Sequence, residues 1–211
     1  NATEELIEEI IDDVDVELTQ ELIEEIKEQH KDLGESVIEK RVTHLPIDII
    51  VFTKNPLGTN FKGFLESLKK TTQNFQYELH IIDYSCSGKD LNISKKINDY
   101  LNTSKGYLVV CVENIRFKDN WLDHAFDYIE QNSDVGLVTF HINDTNNNII
   151  SNGVGFNGKN LVSQKEYSFN QPTNIMAQFL ACFIIPPTNI RFDERFKRIF
   201  YDAIFCWQIW E

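Results

Sequence analysis
Apolar positions along this chain change rhythm near residue 45, and the change separates two kinds of structure. Before it, the hexapeptide E-L-I-E-E-I occurs twice, at Glu5 to Ile10 and at Glu21 to Ile26, with the weaker helix formers Asp12, Asp13, Val14, Asp15 and Val16 between the copies. Leu6, Ile7, Ile10 and Ile11, and then Leu22, Ile23 and Ile26, fall at the i, i+3, i+4 spacing of an apolar stripe. That spacing predicts two short amphipathic helices with glutamate-rich outer faces. After His44, Leu45 and Pro46, short apolar runs alternate with helical stripes, and strands are expected at 47–53, 77–83, 107–112, 135–140 and 180–185. The first three runs are nearly continuous, as in strands covered on both faces. Between the strands, Phe61, Phe64, Leu65 and Leu68 define one helical stripe, and Ile93, Ile97, Tyr100 and Leu101 a second. Trp121, Leu122, Ala125, Phe126 and Ile129 define a third. Such alternation implies an α/β domain over residues 45–211, with right-handed crossovers, a mostly parallel sheet and helices on both sides. The acidic helical segment, residues 1–44, precedes it.

Charge sharpens the division. Of thirty-three acidic residues fifteen lie in residues 1–41, against four of the twenty lysines and arginines, so that this segment holds most of the formal charge of −13. The remainder is nearly balanced and lacks the clustered basic residues that duplex nucleic acid or an anionic membrane calls for. Nucleic acid is therefore not an expected partner. Residues 1–41 read as a solvated helix pair or, more sharply, as an arm on which another protein docks. The 211 residues suffice for one well-buried domain plus this appendage, and 42% apolar with 25% charged residues is a globular profile. No run reaches the ~18 apolar residues of a membrane span. No charged-then-apolar leader opens the chain either, so a cytoplasmic protein is expected, associated with membranes only through partners. The opening at Asn1 and the stop at Trp210 and Glu211 read as a piece of something longer, its main domain truncated at the carboxyl end.

The remaining reactive residues suggest little by spacing. Cys86, Cys111, Cys182 and Cys206 are far apart in sequence and form no C-x-x-C pair, so buried reduced thiols are expected. His44, His80, His124 and His141 show no ligand spacing and are taken as structural or surface groups. Asn143 to Asn148 is a polar turn between two strand-like segments.

In parallel α/β sheets ligands bind beyond the carboxyl ends of the strands. The first expected strand runs into Thr53, Lys54, Asn55 and Pro56, the second into Asp83, Tyr84, Ser85, Cys86, Ser87 and Gly88, and the third into Glu113 and Asn114. All three end in polar groups at one edge. No glycine-rich phosphate loop with a lysine follows the first strand, which argues against a nucleotidyltransferase.

In order along the chain, these segments resemble the family 2 glycosyltransferases, with their GT-A, Rossmann-type nucleotide-binding domain, and among them the rhamnosyltransferase-like members. Phe52, Thr53, Lys54 and Asn55 stand where the family has a P-T-Y-N-like loop, and Ile82, Asp83, Tyr84 and Ser85 where it has V-D-D/N-G-S. Lys105 to Leu108 precedes the third strand, and Asn120, Trp121 and Leu122 stand in place of G-W-L. Asp134 to Val138 matches D-V-G-x-V, and Gly153 to Phe156 matches G-x-G-F. Phe192 to Phe196 resembles F-D-E-x-F, and Tyr201 and Asp202 resemble the closing E-D pair, with Tyr201 in place of the Glu. The likeness spans about residues 46–208.

The resemblance implies an inverting glycosyltransferase that moves a sugar from a nucleoside-diphosphate sugar to a polysaccharide or glycoconjugate acceptor. Thr53, Asn55, Asp83 and Ser85 would bind the donor, with the Asp83 carboxylate accepting from a base N–H or a ribose hydroxyl. Asp202 would be the general base that deprotonates the acceptor hydroxyl. Mg²⁺ or Mn²⁺ would neutralise the diphosphate from the loop after the third strand. The family's two acidic D-x-D positions there fall on Val112 and Asn114, leaving Glu113 and Asn114 as the metal candidates. That departure opens the alternative of a non-catalytic glycosyltransferase-like module that binds or scaffolds, with a degraded metal site.

Overall fold
A computed structural model of the chain describes residues 43, 45–85, 91–151, 154–156, 161–163, 175, 177, 181–197 and 201–210. All belong to the second of the two units into which the chain divides, Lys40–Glu211. The helices expected at 4–29, the docking arm at 1–41 and the segment boundary at residue 44 lie outside the described residues, as do Cys86, Ser87, Gly88 and Gly153.

The described elements are β1 (Ile47–Thr53), α1 (Thr59–Thr71), β2 (Glu78–Asp83), α2 (Ile93–Thr103), β3 (Tyr107–Val112) and α3 (Trp121–Gln131). Short strands follow, β4 (Val138–Thr139), β5 (Ile142–Asn143), β6 (Ile149–Ser151), β7 (Val154–Phe156) and β8 (Leu161–Ser163), then β9 (Cys182–Ile185) and α4 (Tyr201–Trp210). They form an α/β architecture around an open five-stranded sheet in the order β2-β1-β3-β9-β4. β1 lies between β2 and β3 and is parallel to both.

β9 runs antiparallel to β3 and to β4, so four strands share one direction and one opposes them. The expected parallel order does not extend to β9. Among the described elements β9 follows the antiparallel pairs β5–β6 and β7–β8. The strand expected over 135–140 contracts to Val138–Thr139, which among the described residues pairs with β9 alone.

Side-chain alternation along the strands builds two cores. Ile50 and Phe52 of β1, Leu108 and Val110 of β3, and Phe183 and Ile185 of β9 pack with Ile97 of α2 and Phe205 and Cys206 of α4. On the opposite face Tyr107 meets Phe126 of α3 with ring centroids 4.8 Å apart. There α3 is tied to α1, because Trp121 Nε1 donates to Thr71 Oγ1 at 3.1 Å and the Phe117 ring stacks on Trp121 and meets Phe64 edge-on. All five expected positions of the α3 stripe are buried, as are Phe61, Phe64 and Leu68 on α1 and Ile97 on α2, whereas Leu65, Ile93, Tyr100 and Leu101 are half-buried. Each buried Phe, Leu or Ile among them contributes about 1.5–3 kcal/mol by leaving water.

Local chemistry fixes the element ends. Asn92 caps α2 by accepting from the Lys95 N–H at 3.0 Å. Gly106 opens β3 where a Cβ would lie 2.0 Å from the Pro46 carbonyl oxygen, the acceptor of the Tyr107 N–H at 2.9 Å. Only glycine lets the two strands meet there. In the β5–β6 turn Asp144 Oδ1 accepts from the N–H groups of Asn146 and Asn148, both at 2.8 Å, the turn chemistry expected of that segment. Among the described residues no helix is long and apolar enough to cross a membrane.

Candidate functional site
The parallel registers align Thr53 with Asp83 and Phe52 with Val112, so β1, β2 and β3 end together at one edge of the sheet. Their loops are bonded to one another. The Thr53 hydroxyl, fully buried, donates to Glu113 Oε2 at 2.6 Å, and the Lys54 N–H donates to Glu113 Oε1 at 3.0 Å. The Glu113 N–H in turn donates to the Phe52 carbonyl at 3.1 Å, and the Tyr84 N–H to the Thr53 carbonyl at 2.9 Å. Glu113 therefore spends both carboxylate oxygens on the β1 loop, and charge-assisted bonds of this kind are the stronger sort.

Asp83 closes a turn through Oδ1, which accepts from the Ser85 N–H at 2.7 Å. Among the described residues its Oδ2 takes no hydrogen bond. Asn55 likewise closes its own turn, accepting from the Leu57 N–H at 3.2 Å, and its N–H donates to Thr53 Oγ1 at 3.1 Å. Asn114 is exposed at the rim. Asp202 lies in the first turn of α4, where an acid is favoured by the helix dipole, and its Oδ1 accepts from the Ala203 N–H at 2.9 Å.

A cavity of about 210 Å³ opens at this edge, on the face shared with α2 and α4. Phe52, Val110 and Val112 form its sheet wall, Leu91 and Ile93 close one side, and Lys54, Tyr84 and Tyr201 supply the polar groups. The Lys54 ammonium sits 5.8 Å from the Tyr84 ring centroid. Burial, then the charge of Asp202 and the neighbouring Tyr84, hold the Tyr201 phenol far above its ordinary range, so it stays a neutral hydrogen-bond donor. An apolar floor with few polar groups is the usual make-up of a small-molecule site, and this volume suits part of a ligand, such as a planar base.

Thr53, Asn55, Asp83, Ser85, Glu113 and Asn114 thus come together at the carboxyl edge, and Asp202 adjoins Tyr201 in sequence. None of the seven lines the cavity; Lys54, Tyr84 and Tyr201, each one position from an expected residue, do. The reason on β1 is the two-residue period: Phe52 and Lys54 share the cavity face, whereas Thr53 points to the other. Strand phase and the aromatic residue following Asp83 are the sequence signals that mark these positions.

The cysteines are buried as expected where described, but Cys111 and Cys182 are cross-strand partners with sulfurs 3.5 Å apart. No protein-family model matches the chain, and no curated protein does.

Proposed function
We propose that the Lys40–Glu211 unit is a GT-A-type domain that binds a nucleoside-diphosphate sugar and transfers the sugar, with inversion, to a glycan or glycoconjugate acceptor. The observation that carries this is the cavity at the carboxyl ends of β1 and β3, an apolar slot bounded by Tyr84, Tyr201 and Lys54 beside the Asp83 turn. A base enters the slot against the tyrosine rings. Asp83 Oδ2 accepts from a base N–H or ribose hydroxyl while Oδ1 keeps the turn, with Thr53, Asn55 and Ser85 holding the loops that frame it.

Transfer then needs a base and a sink for charge. Asp202 takes the proton of the acceptor hydroxyl as that oxygen attacks the anomeric carbon. The bond from that carbon to the diphosphate oxygen breaks on the opposite side, its electron pair leaving with the diphosphate. The Mg²⁺ or Mn²⁺ expected for this family has a thin donor set here. Glu113 already bonds the β1 loop through both oxygens, Asn114 offers a neutral oxygen, and Val112 is apolar cavity wall. No step is therefore routed through a cation, and Lys54 is the group that meets the diphosphate.

The engagement of Glu113 also favours the second reading, a non-catalytic glycosyltransferase-like module that keeps the nucleotide slot without turnover. Asp83→Asn tests the shared part, since the amide keeps the turn acceptor and loses the charge. A nucleotide affinity lowered about tenfold or more in a folded protein is expected, and unchanged affinity removes Asp83 from the site. Sugar transfer abolished in Asp202→Asn, with nucleotide binding kept, separates the enzyme from the module.

A further inference from the structure
We propose that Asp48, Glu78 and His80 form a binding site for a divalent transition metal of the zinc class, at the end of the sheet remote from the cavity. Asp48 is a carboxylate set among the apolar residues Ile47 and Ile49 to Phe52 of β1, and its side chain is only 16% exposed. The register Asp48 with Glu78, and Ile50 with His80, places the three on neighbouring positions of β1 and β2. They occupy the amino-terminal half of both strands, about 20 Å from Lys54 at 3.3 Å per residue.

One donor atom from each lies within 4.8 Å of the other two. His80 Nε2 is 3.3 Å from Asp48 Oδ1 and 3.9 Å from Glu78 Oε2. Ligands at about 2.0–2.1 Å around tetrahedral zinc stand about 3.3–3.4 Å apart. The first spacing already has that value, and the Glu78 side chain, 80% exposed, is free to swing the remaining distance. As a simple hydrogen bond, by contrast, 3.3 Å is long.

Electrostatics point the same way. Among the described residues His80 is the one basic group within ion-pair distance of either carboxylate, so even a protonated imidazole leaves the cluster negative. The ligands are also oriented from outside. Ser104, the residue after α2, donates its hydroxyl to Asp48 Oδ2, which leaves Oδ1 toward His80. The Tyr100 ring lies 5.0 Å from the His80 ring and limits its rotation. Such outer contacts set ligand geometry in metal sites. One imidazole nitrogen with two carboxylates favours zinc, cobalt or nickel over magnesium or calcium, and three protein ligands leave a fourth position open to water.

Titration of the full chain with Co²⁺ as a spectroscopic probe, and with Zn²⁺ by calorimetry, tests this. One equivalent should bind with the visible bands of a nitrogen and oxygen site, and Zn²⁺ should raise the thermal midpoint. Ser104→Ala should weaken Zn²⁺ on the order of tenfold to a hundredfold, and His80→Gln and Glu78→Gln more. Glu78 is exposed, so Glu78→Gln leaves the fold intact and its result is decisive. Sulfur-to-metal bands, no Zn²⁺ binding, or an affinity unchanged in Glu78→Gln would each overturn the site.

Discussion
The Thr53 hydroxyl donates to the Glu113 carboxylate across 2.6 Å, joining residues sixty positions apart at the ends of β1 and β3. With the Lys54 N–H on the other oxygen, this bond sets the loop that carries Lys54 to the cavity. Glu113→Ala strands the buried hydroxyl and should destabilise the domain by about 1–3 kcal/mol. A double-mutant cycle with Thr53→Val, read by denaturant unfolding, should show coupling between the two. Additive effects would mean that the bond does not fasten the loop.

Lys54 and Tyr84 share the cavity, one as the cation and one as the ring. Lys54→Ala should weaken a nucleoside diphosphate far more than the bare nucleoside, whereas Tyr84→Ala should weaken both alike. Calorimetry with the two ligands measures the difference. Equal losses in Lys54→Ala would place the diphosphate elsewhere.

Asn120 holds φ 61° immediately before α3, in the left-handed region that asparagine tolerates and branched residues do not. Its side chain makes no capping bond, so the backbone conformation is what the position requires. Asn120→Gly should leave stability within about 0.5 kcal/mol, and Asn120→Val should lower it by about 1–2 kcal/mol. Thermal unfolding of both variants checks the contrast.

Burial raises the phenols of Tyr77, Tyr100, Tyr107 and Tyr201, the last most. Unfolded phenols release their protons near pH ~10, while these folded ones hold theirs, so the unfolded state gains as pH rises above that value. Stability should therefore be flat below it and fall beyond it, more gently in Tyr201→Phe. Tyrosinate absorbance during alkaline unfolding follows the release directly, and phenols that all titrate before unfolding would contradict the burial.

Strand positions were legible where burial is two-sided, because Ile47 to Phe52 is apolar but for Asp48 and Tyr107 to Val112 is apolar throughout. β9 was legible in place but not in direction, since an apolar run carries no sign of which way its neighbour points. The carboxyl edge followed from the general rule for parallel sheets. Which residue of each loop faces the ligand depended on strand phase relative to α2 and α4, and the expected positions fell one residue from the cavity. The pairs Cys111 with Cys182 and Asp48 with His80 were invisible for a different reason. They are made by register between strands 71 and 32 positions apart, and linear spacing holds no trace of it.

The nucleotide slot is the claim on which the functional account rests, and the most direct test is calorimetric titration of the whole chain with UDP, GDP, dTDP and CDP, with and without Mn²⁺. Saturable binding of one nucleotide in preference to the others, present without Mn²⁺ and lost in Asp83→Asn, is the predicted result. Failure of all four to bind under either condition would contradict it.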